Sequence, residues 1–450
     1  MDQSKYDFSS GSVKGRILAQ ALPLTLAQAV QLLYNVVDHI FIGHLEDVGE
    51  MALSGLGVTF PVIVLIAAFT SLFGTGGATI FSIARGEGKK EEAERVLGNV
   101  FALLTLSSVV LFAFCYLFKT PILLLFGAGE GSLPYAEEYL SIYLFGTFFS
   151  MISTGLNGYI NAQGFPKIGM LTTVLGAVLN IALDALFIYG FSMQVRGAAL
   201  ATVISQGISC LWVLWFLVGK KAILRLKKEY FRISLKTTAR ICSLGLPAFV
   251  MQATGSLVQI VSNNQLQLYG GELAALYVGV LAVIGSVRDL VTLPVMGISS
   301  GAQPVLGFNY GARRNDRVKE GIRFTTVIGT AYTIVAWVFI MLFPRALMAL
   351  FTDSADTVRI GAEMMNLYFF GFFLMALQFA GQTTFQALGK AKKAVFFSLL
   401  RKALIVVPLT LLLPALGLGV KGVFLAEPIS NAIGGAACFA TMWITVYKRL

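Results

Sequence analysis

A chain of 450 residues with 56% hydrophobic and only 13% charged residues lies outside soluble usage on both counts and points to a polytopic membrane protein. Its net charge of +11 would suit nucleic acid if the basic residues formed a stripe interleaved with aromatics; they cluster instead between apolar runs, so positive-inside topology accounts for them and no nucleic-acid partner is expected. Cys115, Cys210, Cys242 and Cys438 stand singly without ligand spacing, which argues against a disulfide framework or a zinc site.

In chain order, the start MDQSKYDFSSGSVKGR is polar and has no apolar core or small-residue cleavage site, so the first span is expected to be an uncleaved anchor. Twelve apolar stretches are long enough to cross a bilayer: 17–42, 51–83, 95–118, 135–160, 167–191 and 197–219, then 240–269, 273–305, 322–343, 359–388, 394–414 and 420–446. The expected fold class is therefore an all-α polytopic membrane protein with twelve transmembrane helices. An N-lobe is expected over 1–219, a polar cytoplasmic linker over 220–236 and a C-lobe over 237–450.

Loop charge alternates along the chain. One side receives 28 of the 34 Lys and Arg: Lys5, Lys14 and Arg16, RGEGKKEEAER, Lys167, the 220–240 segment, ARRNDRVKEGIR, GKAKK with Arg401 and Lys402, and Lys448-Arg449. The other side receives Lys119, Arg196, Arg345, Arg359 and Lys421 beside the acidic HLEDVGE, and Arg288 is left inside a span. This asymmetry predicts cytoplasmic termini and an even number of spans.

The halves repeat. Leu22-Pro23 matches Leu246-Pro247 at an offset of 224, and Gly86, Gly164, Lys167, Gly197, Ala201 and Ser205 recur at 225 as Gly311, Gly389, Lys392, Gly422, Ala426 and Ser430. Six spans per repeat is an even number, so the two bundles have the same orientation.

Carboxylates inside spans are costly and usually functional. Asp38, Asp184, Asp289 and Glu427 are the candidates. Asn180 and Asp184 are four apart and share a helix face. Thr202 lies in the next span. With Asp38 these residues offer two carboxylates, an amide oxygen and a hydroxyl, hard donors for an alkali cation. Two carboxylates in one desolvated site cannot both ionise cheaply without a counter-charge, so the site takes Na⁺ or H⁺, and no cofactor is expected. At the offset of 225, Asn180, Asp184 and Thr202 fall on Ile405, Leu409 and Glu427, and Asp38 falls on Ser262 or Asn263. The cluster thus belongs to the first half, and Glu427 is a departure that the pattern does not explain. Arg288-Asp289 reads as a local charge pair or as partners for neighbouring spans.

Gln31, Tyr34, Asn157, Gln252, Asn263, Arg288, Gln378 and Gln382 are candidates for a substrate cavity. Gln378, Gln382 and Gln386 would form a polar stripe at i, i+4 spacing, although amides in spans also serve as helix–helix glue. His39 and His44 straddle a membrane edge, where an interfacial role is expected. No HExxH, GxSxG or P-loop occurs, so no enzyme is expected.

The chain resembles the multidrug and toxic compound extrusion (MATE) transporters over roughly residues 14–447. The resemblance rests on ALPLTLAQAVQLLYNVVDHIFIGHL, SIARGEGKKEEAERVLGN, its counterpart GAQPVLGFNYGARRNDRVKEG, GYINAQGFPKIGM, and LNIALDALFIYGF leading to VRGAALATVISQ. It implies two six-helix lobes and cation-coupled export of hydrophobic organic cations and drugs from the bacterial plasma membrane. It also implies an N-lobe cation site at Asp38, Asn180, Asp184 and Thr202, as in the DinF- and MepA-like branches. The NorM-like branch uses acidic residues of helices 7 and 10; here span 7 has Gln252 and Gln259 but no carboxylate, and Glu363 lies only at the start of span 10. A monomer in contact with membrane lipid is expected. The competing reading is a lipid or lipid-linked oligosaccharide flippase of the same superfamily, whose anionic substrate would call for several cationic side chains within spans, where only Arg288 is found.

Overall fold

Hydrocarbon offers backbone groups no hydrogen-bond partners, so an apolar run must satisfy its N–H and C=O groups internally, as a helix does. The computed structural model describes residues 7–43, 45, 49–352 and 354–450. Lys5, His44, Glu46 and Asp47 lie outside the described residues.

The first half comprises α1 (Val13–Gly43), α2 (Gly49–Gly86), α3 (Lys90–Leu117), the short α4 (Lys119–Leu125), α5 (Leu133–Phe145), α6 (Thr147–Ala162), α7 (Pro166–Asp184) and α8 (Gln194–Val218). A π-helical turn, Ala185–Gly190, continues α7. The second half comprises α9 (Leu235–Tyr269), α10 (Ala274–Gly311), α11 (Asn315–Leu342), the short α12 (Pro344–Ala349), α13 (Ala355–Phe369), α14 (Met375–Ala387), α15 (Ala391–Leu399), α16 (Val407–Leu413) and α17 (Gly419–Thr445). Leu400–Val406, between α15 and α16, is π-helical.

Among the described residues ten helical runs are long and apolar enough to cross a membrane, and the pair α5–α6 makes eleven. The last run, Ala391–Arg449, has 59 residues. At 1.5 Å per residue it would extend about 90 Å, some three times the hydrocarbon thickness. It breaks at Gly417 and Gly419, with φ of 98° and 51°, and folds back so that Arg401 reaches Asn431. The run is therefore two crossings, and the twelve expected spans are present.

Three details differ from the sequence expectation. The fourth span is not one straight helix over 135–160: α5 and α6 meet at 57°. Gly146 sits at the bend, where a Cβ would come within 2.8 Å of Gln206 Oε1 on α8. The tenth span breaks between α13 and α14 at Gly371, whose φ of 100° glycine alone adopts cheaply. Arg401 and Lys402 are not loop residues. Both lie in the π-helical segment, about 15 Å beyond the start of α15, with side chains only 15% exposed. Pro408, just downstream, has no N–H to return to the preceding turn, a known cause of local widening. The partner that makes these charges tolerable is Glu427, 25 residues on, beyond any local sequence window.

By contact the chain forms two compact units. The first holds residues through Ser10 with Leu22–Phe249, and the second holds Gly11–Ala21 with Val250–Leu450. Both changes within a helix fall beside the repeat-related Pro23 and Pro247. The polar linker belongs to the first unit because polar groups there hold its backbone. Glu94 accepts from Arg225 N–H at 3.0 Å and pairs with Lys227 at 2.6 Å. Gln163 accepts from Leu224 N–H at 2.9 Å, and Asn99 donates to the Arg232 carbonyl at 3.0 Å. The core of the second unit packs Ile284, Val287, Met365, Phe369, Phe372 and Phe424 together.

Candidate cation site

α7 and α8 approach closely because small residues line their seam. A Cβ on Gly176 would come 2.6 Å from Ser209 Oγ, and one on Gly197 would meet the Phe187 backbone at 3.0 Å. Ser209 Oγ donates to the Thr172 carbonyl at 3.1 Å and so ties the helices together. This seam sets Asn180 and Asp184 of α7 against Thr202 of α8.

Asn180, Asp184 and Thr202 are buried, and Asp184 is fully inaccessible. With its nitrogen toward Asp184, the Asn180 amide donates to Oδ2 at 3.1 Å while its oxygen accepts from Thr202 N–H at 3.2 Å and faces the hydroxyl at 3.3 Å. This orientation satisfies both ends of the amide; the reverse would set the amide oxygen against the Asp184 carboxylate and the nitrogen against the Thr202 N–H. Thr202 Oγ1 also donates to the Ala198 carbonyl at 3.0 Å, which leaves its lone pairs for the site.

Asp38 of α1 completes the set, buried and within side-chain hydrogen-bonding reach of Asp184. Oδ1 of Asp38 and Oδ1 of Asp184 are buried with no hydrogen-bond partner among the described residues. Buried acceptors are rarely left so. Two orphaned carboxylate oxygens beside an amide and a hydroxyl form an acceptor-rich pocket that fits a small hard cation or a proton.

Three tyrosines surround the pair. Tyr34 stands one turn before Asp38, with Gln31 in hydrogen-bonding reach. Tyr139 of α5 reaches Thr202, and Tyr143 reaches Gln206 and Ser150. The rings of Tyr139 and Tyr143 stack at 5.8 Å. Tyr139 is absent from the sequence-derived set, although its i, i+4 spacing to Tyr143 inside an apolar run is a usable signal.

The other sequence candidates are scattered. Asn157 donates to the Gly169 carbonyl at 3.0 Å and accepts from Thr172 at 3.2 Å, joining α6 to α7. Gln382 donates to the Ala394 carbonyl at 3.0 Å and to Ser398 Oγ at 2.8 Å, joining α14 to α15. These two amides act as glue between helices. Gln378 is buried with Oε1 unpartnered. Gln252 is exposed, and Asn263 accepts from Gln259 at 3.3 Å on an exposed face. Arg288 does pair with Asp289, at 2.8 Å, and also donates to Tyr368 OH at 3.2 Å. Glu427 accepts from Lys402 at 3.0 and 3.1 Å and from Arg401 at 3.3 Å. Glu363 pairs with Lys421 at 2.7 Å.

The MatE family profile matches residues 23–186 and again 247–412, so the family's unit occurs twice, in the register of the internal repeat. Over 444 residues the chain is 24% identical to the multidrug export protein MepA of Staphylococcus aureus (strain MSSA476), covering 98% of this chain and 96% of the relative. The MepA protein of Staphylococcus haemolyticus (strain JCSC1435) is 25% identical over 460 residues, covering 100% and 96%. Two solved structures superpose with a TM-score of 0.90 at 25% identity: an outward-facing multidrug resistance MATE family transporter of the MOP superfamily, covering 98% of each chain, and a MATE in complex with MaL6, covering 98% of this chain and 99% of that one. Two profile matches spanning most of a twelve-span chain, with full-length relatives on the same fold, place this membrane protein in the MatE family, on the side of its bacterial MepA-like members.

Proposed function

We propose that the protein is a secondary active exporter of chemically varied hydrophobic organic compounds, organic cations among them, driven by Na⁺ or H⁺ entry through the site at Asp38, Asn180, Asp184 and Thr202. The full-length MepA relatives support multidrug export. The observation that carries the coupling is the pair of buried, partnerless oxygens on Asp38 and Asp184. An uncompensated pair of buried carboxylates is costly, so a cation or proton binds where they face each other and leaves where they are wetted or separated. Loading drives transport by alternating access only if the inward- and outward-open states bind the ion with different affinity.

The test is reconstitution in liposomes with a fluorescent lipophilic cation and separately imposed Na⁺ and pH gradients. One gradient is expected to drive dye movement, and Asp38→Asn and Asp184→Asn are expected to fall to the protein-free leak. Transport at the parent rate in both variants, or indifference to both gradients, sinks the coupling. A flippase reading gains one specific observation: Arg401 and Lys402 join Arg288 inside spans, which supplies the several cations that an anionic headgroup calls for.

A further inference from the structure

The second unit holds a charged cluster that the coupling site does not use. Arg401 donates to Asn431 at 2.9 Å and to Glu427 at 3.3 Å; Lys402 donates to both Glu427 oxygens. Arg288 stands within electrostatic range of Glu427 and bonds to Asp289 and Tyr368. Three cations thus meet two carboxylates, and one of those, Asp289, has its side chain 55% exposed.

A buried ion pair needs one cation per carboxylate, and a surplus cation at this depth raises the cost rather than lowering it. Arg401 and Lys402 both reach Glu427 from a π-helical segment, a feature frequent at functional sites. Arg288 is the open member, with its side chain 32% exposed. Charged side chains inside spans almost always turn to the bundle interior or a water-filled cavity rather than to lipid.

We propose that this cluster is an anion-accepting subsite for the phosphate or carboxylate group of an amphiphilic compound. Arg288 makes the contact, Arg401 and Lys402 supply the field behind it, and Glu427 holds those two side chains in place while cancelling part of their charge. The chemistry is shared by a small zwitterionic or anionic amphiphile and by a lipid headgroup. The inference deepens the export reading by adding a substrate class, but its test needs no gradient, so either can fail alone.

The test is equilibrium binding by titration calorimetry to the full chain in phosphatidylcholine nanodiscs, with hexyl phosphate as probe and hexyltrimethylammonium as the charge-reversed control. Arg288→Gln is expected to weaken hexyl phosphate about tenfold or more, the scale of one charge-assisted hydrogen bond; Lys402→Gln, which removes field and not the contact, is expected to weaken it less, and both are expected to leave the control unchanged. Glu427→Gln removes a buried negative charge at constant shape and is expected to tighten hexyl phosphate. A damaged fold would move the two probes together, and only weaken them. Equal binding of both probes to the parent, or weaker hexyl phosphate binding by Glu427→Gln with the control intact, overturns the proposal. Phosphatidylglycerol nanodiscs separate the two sources: a lipid headgroup in the subsite makes hexyl phosphate bind more weakly there in Arg288-dependent fashion, and a small-molecule subsite keeps its affinity at matched ionic strength.

Discussion

At the scale of single residues, Asn180 ties the two helices of the site together: its nitrogen donates to Asp184 Oδ2 at 3.1 Å and its oxygen accepts from Thr202 N–H at 3.2 Å. Asn180→Leu removes both bonds and leaves buried Asp184 without its donor, at a cost of about 1–3 kcal/mol. Ion binding, followed by intrinsic fluorescence in proteoliposomes, is expected to disappear while the protein stays folded. Thr202→Ser keeps a hydroxyl and is expected to retain binding, whereas Thr202→Val is expected to weaken it. If Val and Ser behave alike, the Thr202 oxygen has no part in the site. These positions were legible in the sequence because a carboxylate and an amide one turn apart stand out in an apolar run. Tyr139 did not stand out, since tyrosine in a span has many other uses. Arg401 and Lys402 were misplaced for a different reason: their partners lie on another helix, and charges near a basic loop look like part of it.

At the scale of elements, apolar runs were enough to locate the helices, but not the bend at Gly146, the break at Gly371 or the π-helical turns. The bend depends on a neighbouring helix, with Gln206 against Gly146, and the break on a single glycine at positive φ. The linker makes the same point. Its composition reads as a solvated spacer, yet Glu94, Asn99 and Gln163 hold its backbone, and Gly98 leaves room for Tyr230 to lie within 2.7 Å of where a Cβ would stand. Glu94→Ala with Gln163→Ala is expected to free the segment and to speed tryptic cleavage at Lys227 and Lys228 severalfold, with the helices intact by circular dichroism. Unchanged cleavage would mean that other contacts hold it. The hydrogen bond to Glu94 keeps the Lys227 ammonium above its ordinary value of 10.5. A raised lysine contributes below the unfolded value and loses its contribution only as pH rises through the folded one. On the alkaline side the parent linker is therefore expected to keep its protection through neutral pH and to loosen only as pH rises beyond about 10.5.

At the scale of the whole molecule, the chain is a repeat whose halves carry opposite electrostatics. The family profile matches both halves, but the acceptor-rich site at Asp38, Asn180, Asp184 and Thr202 has Ile405 and Leu409 at two of its second-half positions, and Glu427 at the third is already engaged by Lys402 and Arg401. A lysine ammonium held by a carboxylate is a cation that cannot leave, so the position matching Thr202 has no vacancy for an exchangeable one. Coupling is therefore expected to be single-site. Titration of the reconstituted parent with the driving ion should follow a one-site isotherm, Asp184→Asn should abolish it, and Leu409→Met, a volume-conserving change at the matching position, should leave it unaltered. A second binding step that survives Asp184→Asn would show that the basic half also takes up the ion, and would remove the asymmetry on which the separation of the two sites rests.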